Sequence, residues 1–293
     1  MKIAIASGKG GTGKTLVSVN LYQTIINQGI AATLIDCDAE EPNVTQFLGG
    51  FLKEIEDVEQ SIPTIDKDKC NFCGKCSEYC SYKAILNIPS VKFLEVIEEL
   101  CHDCGACYIA CNRNAISKKS KKIGSISTID YTNNATIIEA RMEAGVYSPV
   151  KVIKKAILSA KNNNTTLFDS PPGTSCPFII TANYADYVIL VTEPTPFGLN
   201  DLKLSVDVLR KMNKSFGVII NRSGIGNDDL LHWLIQESIP ILGEIPYDEE
   251  IAITYSKGEL ILNIEKYKLV FDSLYNTIKA AIEPSKLLNL HNN

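Results

Sequence analysis

Eight of the ten cysteines fall into two runs with the same spacing. Cys70, Cys73, Cys76 and Cys80 form the first run, and Cys101, Cys104, Cys107 and Cys111 form the second. This spacing is typical of paired [4Fe–4S] clusters, in which three cysteines of one run and the fourth of the other share a cluster. It predicts that Cys111 joins Cys70, Cys73 and Cys76, and that Cys80 joins Cys101, Cys104 and Cys107. Zinc is the alternative, but it usually uses two C-x₂-C pairs without a third cysteine at the same step.

The two runs depart from the usual pattern in one respect. The residue after the fourth cysteine is usually proline, and here it is Ser81 or Asn112. Each of these residues keeps a backbone N–H that proline lacks, so an extra donor to a cluster sulfur is available. The ligand prediction stands, while the reduction potentials cannot be inferred from the pattern.

A second chemical signature is the loop Gly8-Lys9-Gly10-Gly11-Thr12-Gly13-Lys14-Thr15, which follows the apolar segment 3–6. It matches G-x-x-x-x-G-K-[ST], whose backbone N–H groups cradle phosphates at a helix N-terminus. The motif assigns Lys14 to the β- and γ-phosphates and Thr15 to Mg²⁺. The alternative is an ordinary glycine turn, but the loop lies between a predicted strand and a predicted helix, as phosphate binding requires.

Carboxylates follow two further predicted strands. Asp36 and Asp38 come after the apolar segment 31–35, and Asp169 comes after 165–168. Residues two apart on a strand point the same way, so Asp36 and Asp38 can both face the phosphate end of the sheet and help to hold Mg²⁺ or water. Asp169 is placed as a Walker B carboxylate. A strand-end turn with helix-capping aspartates is the structural alternative for the first pair.

Lys9 is not needed in an ordinary phosphate loop. With Lys9, the loop resembles the deviant Walker A ATPases, the relatives of MinD, ParA, the Mrp iron–sulfur carriers and the nitrogenase iron protein. The resemblance implies an ATP-dependent homodimer in which Lys9 of each subunit contacts the nucleotide of the other. It also implies a nucleotide-sensing role for Asp38 and a γ-phosphate switch in Asp169-Ser170-Pro171-Pro172-Gly173. Cys176 lies near a cluster-binding position of the nitrogenase iron protein, but a buried thiol is the favoured interpretation.

The segment Asn221-Arg222 indicates which nucleotide base is bound. Guanine-specific proteins use N-K-x-D, and here Gly224 occupies the place of the aspartate. The resemblance implies that Asn221 faces adenine and that Pro246 belongs to the loop on the adenine side. ATP and Mg²⁺ are therefore the predicted ligands, with Arg222 beside the base.

Strands alternating with helices predict an α/β fold with a doubly wound, mostly parallel sheet and the nucleotide at its carboxyl edge. We expect a discontinuous P-loop ATPase domain over 1–60 and 120–293, with a small α+β ferredoxin-like domain inserted at 61–119. A hairpin over 123–140 and a helix over 149–161 are expected to lead back into the sheet. The lysine run 118–122 is predicted to be a solvated loop.

Composition limits the function. The net charge of −5 disfavours nucleic acid as a partner, and the absence of a leader or long apolar run predicts a cytoplasmic protein. The C-terminal segment 286–293 carries too little charge and apolar surface for a membrane anchor.

The combined signatures predict an ATP-binding, ATP-hydrolysing iron–sulfur protein whose dimeric switch governs electron transfer or metal-cofactor handling for an unidentified client. One alternative is an Mrp-like cluster carrier or scaffold, and another is a MinD/ParA-like positioning ATPase.

Overall fold

The computed structural model describes residues 1–160 and 165–289, with side chains as far as Ile282. The chain forms two compact units. The first comprises 1–55, 126–141 and 150–293, and the second comprises 56–125 and 142–149. The second unit therefore begins before the predicted boundary at 61, ends after that at 119, and includes a short later segment.

Regular structure accounts for most of the described chain. The strands are β1 Lys2–Ala6, β2 Ala32–Asp36, β3 Phe51–Ile65, β4 Ile85–Ile88, β5 Phe93–Val96, β6 Ile116–Thr132, β7 Ala135–Met142, β8 Thr165–Asp169, β9 Tyr187–Thr192, β10 Phe216–Ser223 and β11 Ile241–Pro246. The α-helices are α1 Lys14–Asn27, α2 Val44–Leu48, α3 Lys75–Glu78, α4 Ala106–Ala110, α5 Val150–Ser159, α6 Cys176–Tyr184, α7 Pro196–Lys211, α8 Asp229–Gln236, α9 Glu249–Ser256 and α10 Glu265–Asn289. Short 3₁₀ helices span Pro89–Val91, Glu98–Leu100 and Ile261–Asn263.

The main sheet has nine strands in the order β11-β10-β9-β1-β8-β2-β7-β6-β3. Its neighbours from β11 to β7 all pair in parallel. The prediction of a mostly parallel α/β sheet is therefore confirmed. Because β1 lies between β9 and β8, the loop that leaves its carboxyl end starts near the middle of the sheet, where such folds bind ligands.

The central strands are buried on both faces. Every residue of β2 and β9 is buried, as in a parallel sheet covered by helices on each side. On one face, α1 and α10 pack with the sheet in a single apolar cluster that includes Ile3, Tyr22 and Phe271. This rigid core fixes the strand ends that carry the predicted phosphate and carboxylate residues.

The second unit contains the β4–β5 hairpin and two very short helices, α3 and α4. The cysteine runs repeat the same backbone conformation. Positive φ angles recur at Phe72 and Asp103 (56° and 54°), at Gly74 and Gly105, and at Lys83 and Asn114. The repeat seen in the sequence is thus also a repeat of local structure.

Three local predictions were wrong or incomplete. Cys176, favoured as a buried thiol, is exposed at the start of α6. The lysine run 118–122 lies in β6 and not in a loop, and Lys119, Lys121 and Lys122 form ion pairs with acidic residues. The helix predicted over 149–161 is α5, while residue 161 lies outside the described residues. The side chains of 286–293 also lie outside them. No helix in the described part of the chain is long and apolar enough to cross a membrane.

Candidate functional site

The phosphate loop joins β1 to α1 and depends on glycine at two positions. A Cβ on Gly8 would lie 2.4 Å from the Asp201 carbonyl oxygen, and one on Gly13 would lie 2.3 Å from Asn221 Nδ2. Gly13 also has a φ of 96°, in the left-handed region that favours glycine. Among the described residues, no side chain caps α1 at Gly13, so the first amides of the helix face the loop. This is the arrangement that binds an anion.

Buried side chains stand at the start of α1. Lys14 is only 8% exposed. Burial raises the pKa of Asp38 and that of Asp169, and the positive charge of Lys14 offsets only part of this rise. Thr15 Oγ1 donates a hydrogen bond of 2.8 Å to Asp169 Oδ2, and Ser18 Oγ donates one of 2.8 Å to Oδ1. Thr15 and Asp169, two of the three predicted Mg²⁺ residues (the third is Asp36), are therefore in direct contact.

Asp36 faces Asp169 across neighbouring strands, since the two are register partners. Both carboxyl groups are buried. Burial, and then the nearby Asp169 charge, raises the pKa of Asp36, and burial raises that of Asp169 to about 6. Asp36 also accepts backbone N–H bonds from Asp38, Asn43 and Val44. It therefore organises the turn after β2, as the structural alternative expected, while remaining next to the Mg²⁺ candidate.

Lys9 is held within its own subunit. Its Nζ lies 2.8 Å from Glu193 Oε1, and Arg222 Nη1 lies 2.8 Å from Glu193 Oε2. Burial of Glu193 opposes ionisation, but the two cations lower its pKa overall. Glu193 was not predicted as a site residue, because nothing in the motif places β9 beside the loop.

A cavity of 240 Å³ adjoins the loop on the side predicted for the base. Its lining includes Asn221, Arg222 and Pro246. Asn221 Nδ2 donates to the Thr12 carbonyl at 2.8 Å, so the amide also braces the phosphate loop. The nearest carboxylate, Asp248, already accepts from Lys266, Tyr267 and the Glu250 amide.

The eight cysteines of the two runs divide between two cavities in the second unit. The first cavity has a volume of 460 Å³ and is lined by Cys70, Cys73, Cys76 and Cys111. The second is much smaller, and Cys80, Cys101, Cys104 and Cys107 line it. Each cavity thus combines three cysteines of one run with the fourth of the other.

The cysteine thiols line two cavities and do not form a site for a single metal ion. Within residues 1–160 and 165–282, no three His, Cys, Asp or Glu side chains are close enough to bind one metal ion. A four-iron cluster is larger than one ion and is held at its corners by four thiolates. Backbone amides point at sulfur in both cavities, from Ala84 to Cys80 Sγ and from Ala115 to Cys111 Sγ.

Comparison with known proteins decides the family. A profile of the CobQ/CobB/MinD/ParA nucleotide binding domain matches residues 3–261. An uncharacterised protein of Methanocaldococcus jannaschii is 34% identical over 283 residues, covering 95% of this chain and 97% of its own.

The chain belongs to the CobQ/CobB/MinD/ParA family of nucleotide-binding proteins.

Two other similarities extend the comparison. The Mg-ADP complex of the septum site-determining protein MinD of Pyrococcus horikoshii has a TM-score of 0.59 at 21% identity, over 97% of this chain and 98% of that one. This shows that the chain has the P-loop ATPase fold of MinD. An iron–sulfur cluster carrier protein of Aquifex aeolicus is 24% identical over 279 residues, which is 89% of this chain and 61% of the carrier.

Three orphaned polar atoms mark the three predicted sites of this family member. Among the described residues, the buried side-chain oxygens without a hydrogen-bond partner are Thr12 Oγ1, Asn87 Oδ1 and Tyr108 Oη. Thr12 lies in the phosphate loop, Asn87 lines the first cysteine cavity, and Tyr108 lines the second. Since buried polar groups are normally satisfied, the Thr12 and Tyr108 hydroxyls are donors that a bound phosphate or a cluster sulfur could use. The Asn87 oxygen can only accept, so the fit of the first cavity to a cluster rests on its four cysteines. The residues present fit a nucleotide and two clusters.

Proposed function

We propose that this protein binds and hydrolyses ATP with Mg²⁺, and holds two [4Fe–4S] clusters whose use in electron transfer or metal-cofactor handling is governed by the nucleotide. The observation that carries the proposal is the grouping of the eight thiols into two sets of four within a chain that also has a phosphate loop. The sequence relationship to the Aquifex carrier supports an iron–sulfur role.

In the nucleotide site, the chain supplies binding and orientation. Lys14 and the first amides of α1 would hold the phosphates, and Thr15 and Asp169 would hold Mg²⁺. Asp38 would orient the attacking water. The Lys14 charge acts on the pKa of Asp38, which indicates that Asp38 lies near the phosphate loop. Asn221, Arg222 and Pro246 line the cavity that would enclose adenine, and Asp248 beside them already accepts hydrogen bonds from Lys266, Tyr267 and the Glu250 amide.

In the second unit, the chain supplies cysteine thiols as cluster ligands, and some of them are buried from solvent. Burial, and then the charges of neighbouring cysteines, raises the pKa of Cys107 to about 11. The Cys107 thiol therefore remains protonated until a metal displaces the proton. The clusters, when bound, would accept and release single electrons.

We further propose an ATP-dependent homodimer in which Lys9 contacts the partner subunit's nucleotide. The ion pair between Lys9 and Glu193 would then have to break on dimerisation. In such a dimer, Lys9 would contact a nucleotide that has a γ-phosphate differently from one that lacks it. ATP could therefore stabilise one conformation of the protein over another.

The experiment compares wild type, Lys14→Ala and the control Lys211→Ala, which removes an exposed lysine of α7. Each protein is prepared anaerobically, and the rate of cluster reduction is followed by absorbance with and without ATP. We expect ATP to change the rate in wild type and in the control, but not in Lys14→Ala. Equal rates with and without ATP in wild type would contradict coupling.

A cluster carrier is the second candidate, favoured by the similarity to the Aquifex protein. Cys73 and Cys104 are exposed, whereas Cys80 and Cys107 are buried. Incubation with an apo-acceptor distinguishes the functions. Stoichiometric loss of cluster absorbance would favour a carrier, and retention would favour resident electron-transfer centres.

A further inference from the structure

The two cysteine runs differ in the hydroxyl residue that follows their third cysteine. The residue after the third cysteine is Ser77 in the first run and Tyr108 in the second. Ser77 Oγ donates a hydrogen bond of 2.6 Å to the Ile85 carbonyl, so its donor is used by the backbone. Tyr108 Oη is buried and has no partner among the described residues. At equivalent positions of the two runs, the Ser77 hydroxyl is therefore already hydrogen-bonded, whereas the Tyr108 hydroxyl is available to donate.

Tyr108 lies beside the cysteines of the second cavity. The residue lies in α4 directly after Cys107 and lines the cavity that it shares with Cys80, Cys101 and Cys104. A buried O–H without a partner is unfavourable, and a sulfur acceptor would recover part of that cost.

A positively charged side chain lies next to the Tyr108 ring. Lys118 Nζ lies 5.3 Å from the centre of the Tyr108 ring, within the range of a cation–π contact. The ring is therefore fixed next to a positive charge. In the same cavity, Tyr82 is 45% exposed and stacks on His102 at 3.8 Å, so its hydroxyl is not a comparable buried donor.

We propose that the Tyr108 hydroxyl donates a hydrogen bond to a sulfur of the cluster held by Cys80, Cys101, Cys104 and Cys107, and thereby raises the reduction potential of that cluster alone. The reduced cluster carries one more negative charge than the oxidised one, and a hydrogen bond to its sulfur stabilises the more negative state. This inference rests on the proposed presence of two clusters. It adds a residue that makes the two clusters unequal.

The test is an anaerobic potentiometric titration of the cluster-loaded protein, followed by electron paramagnetic resonance. In Tyr108→Phe, we expect the equilibrium constant for reduction of one cluster to fall about three- to tenfold, which is about 30–60 mV at 59 mV per tenfold change. The other cluster should keep its potential. Ser77→Ala and Tyr82→Phe are the matched controls, and neither should move either potential by more than a third of that shift.

Two outcomes would overturn the inference: unchanged potentials in loaded Tyr108→Phe, or equal shifts of both clusters. Absence of iron from the wild-type protein would instead overturn the proposed function.

If Tyr108→Phe loses a cluster, the Tyr82→Phe protein with ring-deuterated tyrosine is measured by electron–nuclear double resonance. Deuteron coupling at one reduced cluster is expected, and none at either, or equal coupling at both, would contradict the proposal.

Discussion

The nucleotide region and the cysteine region solve the problem of placing reactive groups in different ways. In the nucleotide region, Asp169 already accepts from Thr15 and Ser18, Asp36 accepts three backbone amides, and Lys9 is paired with Glu193. In the cysteine region, the thiols line cavities and the helices are only four or five residues long. The first site is built by the fold before a ligand arrives, whereas the second depends on its ligand for stability.

Removal of iron gives the largest expected difference between the two regions. A small unit with short helices and cysteine-lined cavities lacks the core to stay folded without its metal. We expect amide exchange in 66–118 to accelerate roughly 100-fold after iron chelation under reducing conditions, as local unfolding exposes the backbone. Exchange in β1, β8 and β9 should change little. Equal protection of both regions in the iron-free protein would show that the difference drawn here is wrong.

Loss of Lys14 should weaken nucleotide binding without changing the amount of bound iron. Lys14→Ala removes the buried cation next to the phosphate loop, and we expect ATP affinity to fall about 100-fold, or about 2.7 kcal/mol. Iron content should equal that of wild type, because no cysteine lies near Lys14 in the motif. Calorimetric titration and iron analysis check the two halves of the prediction. A parallel loss of iron would contradict the prediction that the clusters assemble without Lys14.

The buried carboxyl of Asp169 should make stability depend on pH. Its pKa of about 6 in the folded protein exceeds the ordinary value of about 3.9, so the folded state binds more protons between these values. The contribution of Asp169 to stability is therefore greatest at low pH and is lost as pH rises through about 6. Between pH 5 and pH 7, we expect a loss of about 1 kcal/mol without Mg²⁺.

Thermal unfolding in EDTA at a series of pH values measures this effect. Asp169→Asn should reduce the slope, because Asn does not titrate. Mg²⁺ with nucleotide should also reduce it, by stabilising the carboxylate. A slope that is the same in wild type and in Asp169→Asn would assign the dependence to other groups, such as Asp36.

The smallest expected effect comes from Glu193. Glu193→Gln weakens the hold on Lys9, which is partly exposed, so the change in free energy should be below about 1 kcal/mol. We expect ATP-dependent dimerisation to become a few-fold tighter by sedimentation, because less energy is needed to release Lys9. Glu237→Gln, which removes the Arg210 pair in the same unit, is the control. Weaker dimerisation of Glu193→Gln would mean that the pair assists the dimer instead.

The two regions also differ in how much of each could be predicted from the sequence. The parallel sheet, the phosphate loop and the division of the cysteines follow from short spacings, because local periodicity and motif geometry determine them. The partners of Lys9, the backbone contacts of Asp36 and the strand conformation of 118–122 depend on residues far apart in the chain. The difference between Ser77 and Tyr108 required knowledge of which hydroxyl finds a partner, and only the packed structure reveals that.

Quantification of iron and acid-labile sulfide in anaerobically purified protein tests the central claim most directly. The account predicts about eight iron and eight sulfide per chain, with both Cys76→Ser and Cys107→Ser losing about half. Zinc at these thiols, or no metal at all, would contradict it and leave a nucleotide-binding protein whose cysteine unit has another role.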